Sequence, residues 1–455
     1  MLEGLEISVV RFSEIRSKNF DFRIDSEYFK KEYILIENLI KKNNCKDLSE
    51  LSLKISDGTH FTPNYIENGV KFLSALNVSD NYFDLEAGFK YISQEEHKSL
   101  YSRCNPESGD VLLRKVGVGL RKACVVPQNI EEFSIFVSVA LIKCKEINPY
   151  YLSTYINTSL GQEQLFRFNK GISQPDLHLE DISRLKVPIF PDTFQSKIES
   201  MVKSAHAKLE ESKSLYSQAE DLLLGELGLK DWRPKNTLHT TKKFSDFAQS
   251  GRLDAEYYQP KYDDLFERLQ KVDCKTIKEI QIINYRGFQP EYVENGKIDV
   301  INSKHILEDG LDYDNFEKTD EVSFNNAVRA QVKYGDILTY TTGANIGRTQ
   351  VYLSEKKAMA SNHVNMLRVK DVNPIYLALV LNSKIGRMQT EKSSTGSAQV
   401  ELYPDDLASF IIPILPEAIQ TKIASLIQQS FECKAQSKQL LEDAKRMVES
   451  EIEKN

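Results

Sequence analysis

The sequence holds little of what marks an enzyme, a metal site or a membrane protein. Its six cysteines (Cys45, Cys104, Cys124, Cys144, Cys274 and Cys433) include no CxxC pair, which excludes the usual zinc and dithiol redox spacings and leaves buried, reduced thiols as the expectation. No secretory leader precedes them, so a cytoplasmic location is expected. None of the seven histidines builds an HExxH pair, and no GxxxxGK[ST] phosphate loop occurs, so the common metalloprotease and nucleotide motifs are missing. No apolar run approaches the eighteen or so residues of a membrane span. Positive charge is also short: 59 Lys and Arg stand against 66 Asp and Glu, for a net charge of -7. Any affinity for nucleic acid has to come from local patches.

What is present begins with bulk. A chain of 455 residues, 41% hydrophobic with 22 Phe and 21 Tyr, can fill more than one core, and two to four domains are expected. Two amphipathic helices organise it, over Phe194 to Glu226 and Ala418 to Glu453. In the first, Ile198, Val202, Ala205, Leu209, Ser212, Tyr216, Ala219 and Leu223 recur with the beat of a coiled-coil seam. In the second, Ile423, Ile427, Ser430, Lys434, Ser437, Leu441, Ala444 and Val448 keep that beat. Small residues recur along both seams, which lets two helix backbones approach closely. Each helix follows an apolar strand ending in proline, Leu185-Lys-Val-Pro-Ile-Phe-Pro191 and Phe410-Ile-Ile-Pro-Ile-Leu-Pro416, and Asp192 and Glu417 put an acid near the positive end of the helix dipole. Two copies about a twofold axis crossing the helices would require them to run antiparallel. A helix of about thirty residues is a ruler of roughly 45 Å.

The rest of the chain is a duplication with a period of roughly 225 residues. Asp25-Ser-Glu-Tyr28 returns as Asp254-Ala-Glu-Tyr257, and Pro63-Asn-Tyr-Ile-Glu-Asn-Gly69 as Pro290-Glu-Tyr-Val-Glu-Asn-Gly296. Gly109-Asp-Val-Leu112 matches Gly335-Asp-Ile-Leu338, and Asn148-Pro-Tyr-Tyr-Leu152 matches Asn373-Pro-Ile-Tyr-Leu377. Gly171, Gln174, Leu177 and Asp181 match Gly396, Gln399, Leu402 and Asp406. Order and spacing are kept, whereas the loops between differ in residue type, as in Asp57 to Phe61 against Tyr285 to Gln289. A shared scaffold with different loops suits recognition of two different things by one geometry. The expected division is a domain over 1–190, a helix over 191–228, a linker over 229–243, a second domain over 244–415 and a second helix over 416–455. Short strands rich in Val, Ile and Tyr alternate with glycine turns and a few helices, so each domain reads as α+β.

Two catalytic readings compete with simpler ones. Asn148-Pro-Tyr-Tyr151 and Asn373-Pro-Ile-Tyr376 come near an adenine-methyltransferase loop, but a proline in a first helical turn explains them, and no glycine-rich cofactor loop lies upstream. Asp336, Glu355 and Lys357 could hold Mg²⁺ in a nuclease, yet Asn129 and Glu131 replace the latter two in the first copy. Binding remains. Arg114-Lys-Val-Gly-Val-Gly-Leu-Arg-Lys122 sets four cations, Arg114, Lys115, Arg121 and Lys122, around two glycines, a loop able to approach a phosphate backbone while its arginines reach base edges. Its counterpart offers Thr341, Thr342, Asn345 and Arg348. A second polar pair of segments carries Lys170, Ser173 and Gln174 in one copy and Lys392, Ser397 and Gln399 in the other.

At this point the architecture resembles the specificity subunit of type I restriction-modification systems over nearly the whole chain. Asp57-Gly-Thr-His-Phe-Thr-Pro63, Gly171-Ile-Ser-Gln174, and Gly343-Ala-Asn-Ile-Gly-Arg348 after Gly335-Asp-Ile-Leu338 are similar to stretches of that family. The second copy departs from the first of these, having Tyr285-Arg-Gly-Phe-Gln289. The resemblance implies two target-recognition domains separated by two long antiparallel coiled-coil helices, and adds Thr59, His60, Tyr285 and Arg286 to the DNA-binding candidates. It further implies a non-catalytic chain that reads a bipartite DNA target on double-stranded DNA, with the helices setting the unread gap and docking two methyltransferase subunits. The ruler of roughly 45 Å exceeds one turn of B-DNA, about 34 Å. S-adenosylmethionine, ATP and Mg²⁺ are then expected on partner subunits, an ATP-dependent restriction subunit among them, with no cofactor or metal in this chain. The alternatives are a protein-interaction scaffold with duplicated binding domains and a cryptic nuclease using Asp336.

Overall fold

Short β-branched strands bounded by glycine build small sheets, and a repeat in sequence builds them twice. The computed structural model describes residues 9–13, 15, 23–117, 121–169, 175–234, 237, 239–395 and 400–454. It divides into two compact units, one running to Leu209 and taking in Ala435 onward, the other Glu210–Lys434.

The first unit centres on a four-stranded antiparallel sheet of β2 (Ser52–Asp57), β8 (Val139–Cys144), β5 (Val111–Arg114) and β6 (Ala123–Val125), in that order. Beside it stand a three-stranded sheet of β3 (Val70–Leu73), β4 (Lys90–Ile92) and β7 (Phe133–Ile135), and a pair of β1 (Cys45–Asp47) with β9 (Lys186–Pro188). The central sheet is buried on both faces. Val111, Leu113, Ala140 and Ile142 point into one core, while the alternating Leu112, Val139 and Leu141 pack with Phe133 and Ile135 in another. This is why these strands read as continuous apolar runs rather than as alternation.

The second unit repeats the plan. β10 (Cys274–Thr276) pairs with β21 (Ile411–Pro413), and β11 (Gln281–Arg286), β20 (Val364–Val369), β17 (Ile337–Tyr340) and β18 (Thr349–Val351) form the central sheet. β12 (Ile298–Ile301) lies between β15 (Glu317–Thr319) and β19 (Ala358–Ala360), with β16 (Gln331–Val332) beyond, and a hairpin of β13 (Ile306–Leu307) and β14 (Gly310–Leu311) is added.

The polar residues of the repeat brace the same joints. Asn148 caps α1 (Pro149–Asn157), its Oδ1 accepting from the Tyr150 and Tyr151 N–H groups. Asn373 does the same for α3 (Pro374–Asn382). Gln195 and Gln420 accept the backbone N–H of those two caps at 2.9 and 3.0 Å, and the buried Tyr151 and Tyr376 hydroxyls donate to Pro188 and Pro413 at 2.7 and 2.8 Å. The Asn-Pro motifs are thus helix starts. Asp336 forms a two-pronged pair with Arg368 at 2.7 and 2.8 Å, while Lys357 is held by Glu321, so the proposed nuclease set is taken apart into two structural ion pairs. Asp110 and Lys143 occupy the equivalent place in the first unit, 2.8 Å apart. The expected connector at 229–243 is anchored at its start. Leu229 and Trp232 belong to the core of the second unit, and Trp232 Nε1 donates to Asp264 at 3.1 Å.

The long helices are α2 (Asp192–Glu226) and α4 (Glu417–Glu453), of 35 and 37 residues. Each gives part of its length to each unit. In the first unit Ile198 and Val202 share a core with Ala444, Val448 and Ile452, and Ser437 Oγ donates to Ala205 O at 2.7 Å. In the second, Ala219 and Leu223 share a core with Ile423 and Ile427, and Ser430 Oγ donates to Ser212 O at 2.8 Å. Within each unit the paired segments therefore run antiparallel, and the small seam residues are where the backbones come close. Lys434, read as a seam position, turns instead to Asp309 at 2.6 Å. Among the described residues no helix is long and apolar enough to cross a membrane.

Candidate nucleic-acid interface

In each unit three separate segments are drawn together at one end of the central sheet. In the first, β2 ends at Asp57 and the chain turns through Gly58, where a Cβ would lie 2.0 Å from the Ile135 carbonyl oxygen. Only glycine fits so close an approach. Thr59 N–H then donates to Ile135 O at 3.1 Å. The second segment follows β5: Lys115 N–H donates to Ser138 O at 3.0 Å, and Gly117, at φ +109°, donates its N–H to Pro175 O at 3.2 Å. The third segment is joined by the Leu177 N–H, which donates to Lys115 O at 3.1 Å.

The second unit places Gly287, Thr341, Gly343 and Leu402 in the same relations. A Cβ on Gly287 would lie 2.1 Å from Ala360 O. Thr341 N–H donates to His363 O at 3.2 Å, Gly343 N–H to Val400 O at 3.0 Å with φ at +115°, and Leu402 N–H to Thr341 O at 3.0 Å. Tyr285-Arg-Gly-Phe-Gln289 thus keeps the turn of Asp57-Gly-Thr-His despite its different residues.

Side chains then part company. Lys115 is 4% exposed, with its ammonium 3.4 Å from Asp57, 3.3 Å from Asp176 and 3.4 Å from Leu177 O. Asp57 also holds Arg103 at 2.9 Å and His60 at 3.4 Å. At the equivalent of Asp57 stands Arg286, which donates to Leu402 O at 3.1 Å, faces Glu401 at 3.7 Å and lies over the Tyr403 ring at 5.0 Å. A cation stands where the first unit has an anion, and Thr341 stands where the first unit has Lys115.

Several expected contact residues face inward. Arg121 is 1% exposed, and its guanidinium donates to Gly117 O and Asn169 Oδ1 at 2.8 Å and to Pro175 O at 3.1 Å. It fastens the second segment to the third, and burial lowers its pKa. Lys115 is consumed by its carboxylates, and Thr59 Oγ1 by the Phe61 backbone. Buried Thr341 donates its hydroxyl to His363 O at 2.9 Å. Lys392 donates to Tyr257 O at 2.7 Å and sits 3.6 Å above that ring, with burial lowering its pKa. Arg167 plays the same part at Tyr28, donating to its carbonyl at 2.9 Å. Thr59, Lys115, Arg121, Thr341 and Lys392 were expected to reach outward. The low-dielectric surroundings and nearby carbonyl oxygens hold them inside instead.

Others remain available. Arg114 is half-buried over Gly117 and makes no side-chain hydrogen bond or ion pair among the described residues. Its counterpart Tyr340 lies over Gly343. Asn345 is exposed, and half-buried Arg348 likewise has no such partner among the described residues. His60 is exposed beside Asp57; Tyr285 lies under Arg329 at 4.8 Å; Thr342 Oγ1 is buried without a partner. Lys122 pairs with Asp80 at 2.9 Å, which also takes Lys445. Lys170, Ser173, Gln174, Ser397 and Gln399 lie outside the described residues. Sequence reasoning missed Asp57, Asp176 and Glu401 as the charges that lock the segments. The signal was there, since Asp176 and Glu401 both directly precede a leucine of the repeat.

No cluster of His, Cys, Asp or Glu able to hold a metal occurs among the described residues. What the site offers is a rigid arrangement of loops carrying polar and cationic side chains of different kinds in the two copies.

No curated protein sequence matches the chain. The S subunit of a type I restriction-modification system from M. genitalium is 12% identical, with 90% of this chain and 95% of that one covered at a TM-score of 0.41. The HsdS subunit from Thermoanaerobacter tengcongensis is 14% identical, with 90% and 96% covered at a TM-score of 0.27. The family model for the type I restriction modification DNA specificity domain matches residues 270–446. Those residues, which carry the whole of the second three-segment site, are thus similar to the type I restriction-modification DNA specificity domain.

Proposed function

We propose that the chain is the DNA-reading specificity subunit of a type I restriction-modification enzyme, with each unit reading one half of a bipartite target. The observation that carries this reading is the pair of equivalent three-segment sites, alike in backbone and different in side chains. One scaffold then presents two chemistries, as two different half-sites require. His60, Arg114 and Lys122 in the first unit, and Tyr285, Thr342, Asn345 and Arg348 in the second, are the residues that face DNA. Lys170, Ser173, Gln174, Ser397 and Gln399 join them from the neighbouring segments. Thr59, Lys115, Arg121, Arg286, Thr341 and Lys392 hold the segments in place.

The long helices set the gap between the halves and dock two methyltransferase subunits, and an ATP-dependent restriction subunit joins for cleavage. S-adenosylmethionine, ATP and Mg²⁺ belong to those partners, in the cytoplasm. With a net charge of -7, the isolated chain binds DNA weakly, and the assembled complex binds it strongly and with steep salt dependence. A genome-wide map of methylated adenines with and without the gene tests the proposal. Loss of methylation at one split motif with a fixed gap supports it. Methylation that is unchanged in a cell shown to express the complex overturns it, and leaves the protein-interaction scaffold.

A further inference from the structure

Between buried Thr59 and buried Pro63 the chain exposes three residues in a row, and the middle one, Phe61, is 80% exposed. Between Gly287 and buried Pro290 it exposes Phe288, at 61%. Counted back from the proline, the two phenylalanines hold the same place, although the first loop is two residues longer and Phe288 makes the backbone bond that Thr59 makes in the first unit. A phenyl ring left in water forgoes about 2 kcal/mol of burial. Among the described residues, neither ring has an aromatic or cation–π partner.

Neither loop is loose beneath its ring. Thr59 Oγ1 accepts the Phe61 N–H at 3.1 Å and lies 3.3 Å from its carbonyl oxygen. Phe288 N–H donates to Ala360 O at 3.0 Å. Gly58 and Gly287 press each turn against strand-end backbone. The backbone is fixed and the ring is presented, which is the pre-organised form of a contact. The immediate company is polar and charged: His60 and Thr62 flank Phe61, with Arg103 paired to Asp57, and Arg286, facing Glu401, and Gln289 lie beside Gly287 and Phe288. A protein interface rests on about 800 Å² per partner with an apolar centre. A single projecting ring among polar and charged groups matches instead the apolar wedge with which proteins unstack a base step.

We propose that Phe61 and Phe288 are such wedges, each inserting its ring between adjacent base pairs of the half-site held by its own unit. This rests on the DNA-reading function proposed above and adds to it a distortion of the duplex that no base-edge contact supplies. Unstacking beside the target lowers the work of extruding a base for modification, so the wedge acts in methylation as well as in binding.

The test uses the complex co-purified with its methyltransferase subunits and duplexes carrying 2-aminopurine at successive positions of the mapped target. With the natural chain, fluorescence should rise several-fold at one step in each half. Phe61→Ala should abolish the rise in one half only, and Phe288→Ala in the other only. Each variant should lose about tenfold in affinity, recovered when a mismatch at that step unstacks the duplex in advance. Unchanged fluorescence in both variants overturns the wedge while leaving DNA reading intact. Loss of co-purification with the methyltransferase in either variant overturns it in favour of a protein contact. A natural complex that shows no preference for the split target over scrambled DNA removes the underlying reading, and the wedge with it.

Discussion

Lys115 and Arg286 end on equivalent atoms from different places in the repeat. Lys115 Nζ lies 3.4 Å from the carbonyl oxygen of Leu177, and Arg286 Nη2 lies 3.1 Å from that of Leu402. One cation follows the third strand of the sheet and the other closes its edge strand, yet both fasten the third segment and face an acid one residue before the leucine. The lock was kept while its parts were exchanged, and a single-residue swap would break it. Arg286→Asp, which copies Asp57 without a lysine opposite, should leave two carboxylates facing each other and a carbonyl without its donor.

Lys115→Met should cost about 3 kcal/mol, because it strips a buried carboxylate of one partner. Arg103 remains on Asp57 at 2.9 Å, which keeps the loss at the lower end. Adding Asp57→Asn should recover part of it. Urea unfolding of the two variants checks the order, and a double variant worse than the single would refute the pairing.

Gly58→Ala and Gly287→Ala should each displace one loop while the sheets stay folded, since the added methyl meets a backbone oxygen at 2.0 or 2.1 Å. Misplacement of about 1 Å is enough to lose up to roughly 100-fold in rate. Methylation kinetics on the mapped target, with circular dichroism as the control for folding, should show loss of rate without loss of structure.

The helix seam makes a prediction of its own. Ser437→Ala and Ser430→Ala each remove one buried hydroxyl bonded across the helices and should each cost about 1 kcal/mol. Ser437→Leu should cost more, up to about 3 kcal/mol, because the backbones have no room for the longer side chain. Denaturant titration of the three variants ranks them.

Acid should loosen the clasps at the start of each unit. The Arg23 guanidinium beside Asp25, and Arg252 beside Asp254, hold those carboxyls below the usual range. A lowered folded pKa gives stability that is present above the unfolded value of about 3.9 and is lost as pH falls through the folded value. Both side chains are 44% exposed, so solvent screening keeps the term below about 1 kcal/mol. The difference in Tm between the natural chain and Asp254→Asn should be constant from pH 8 to 5 and shrink below about 4. A difference that grows in acid would contradict the sign.

Much of this was legible beforehand, and the reasons differ by element. The long helices were readable because periodicity over dozens of residues averages out local exceptions such as Lys434. The repeat was readable because Asn148 and Asn373, or Gly117 and Gly343, do backbone work that admits few substitutes. Which cations face outward was not readable. Arg121 turns inward because Asn169 and Pro175, far off in sequence, put oxygen atoms within its reach, and nothing local announces them. Phe61 was passed over because an exposed ring violates the pattern that sequence reading relies on. The division of the helices between units was hidden for the same reason as Arg121: tertiary pairing, not local sequence, decides it.

That division has a consequence for synthesis. Ala444, Val448 and Ile452 fill the core of the first unit together with Ile198 and Val202. On the ribosome, the residues up to Leu209 emerge well before Ala435 does, and at about 5–20 residues per second the wait is roughly ten to fifty seconds. During that interval Ile198 and Val202 lie open. Release from the ribosome early, anywhere after the second unit has begun, would leave the first one with a permanently exposed apolar stripe. The newly made first unit is therefore open to capture by chaperones and proteases until Ala444, Val448 and Ile452 follow it, and their arrival ends the exposure.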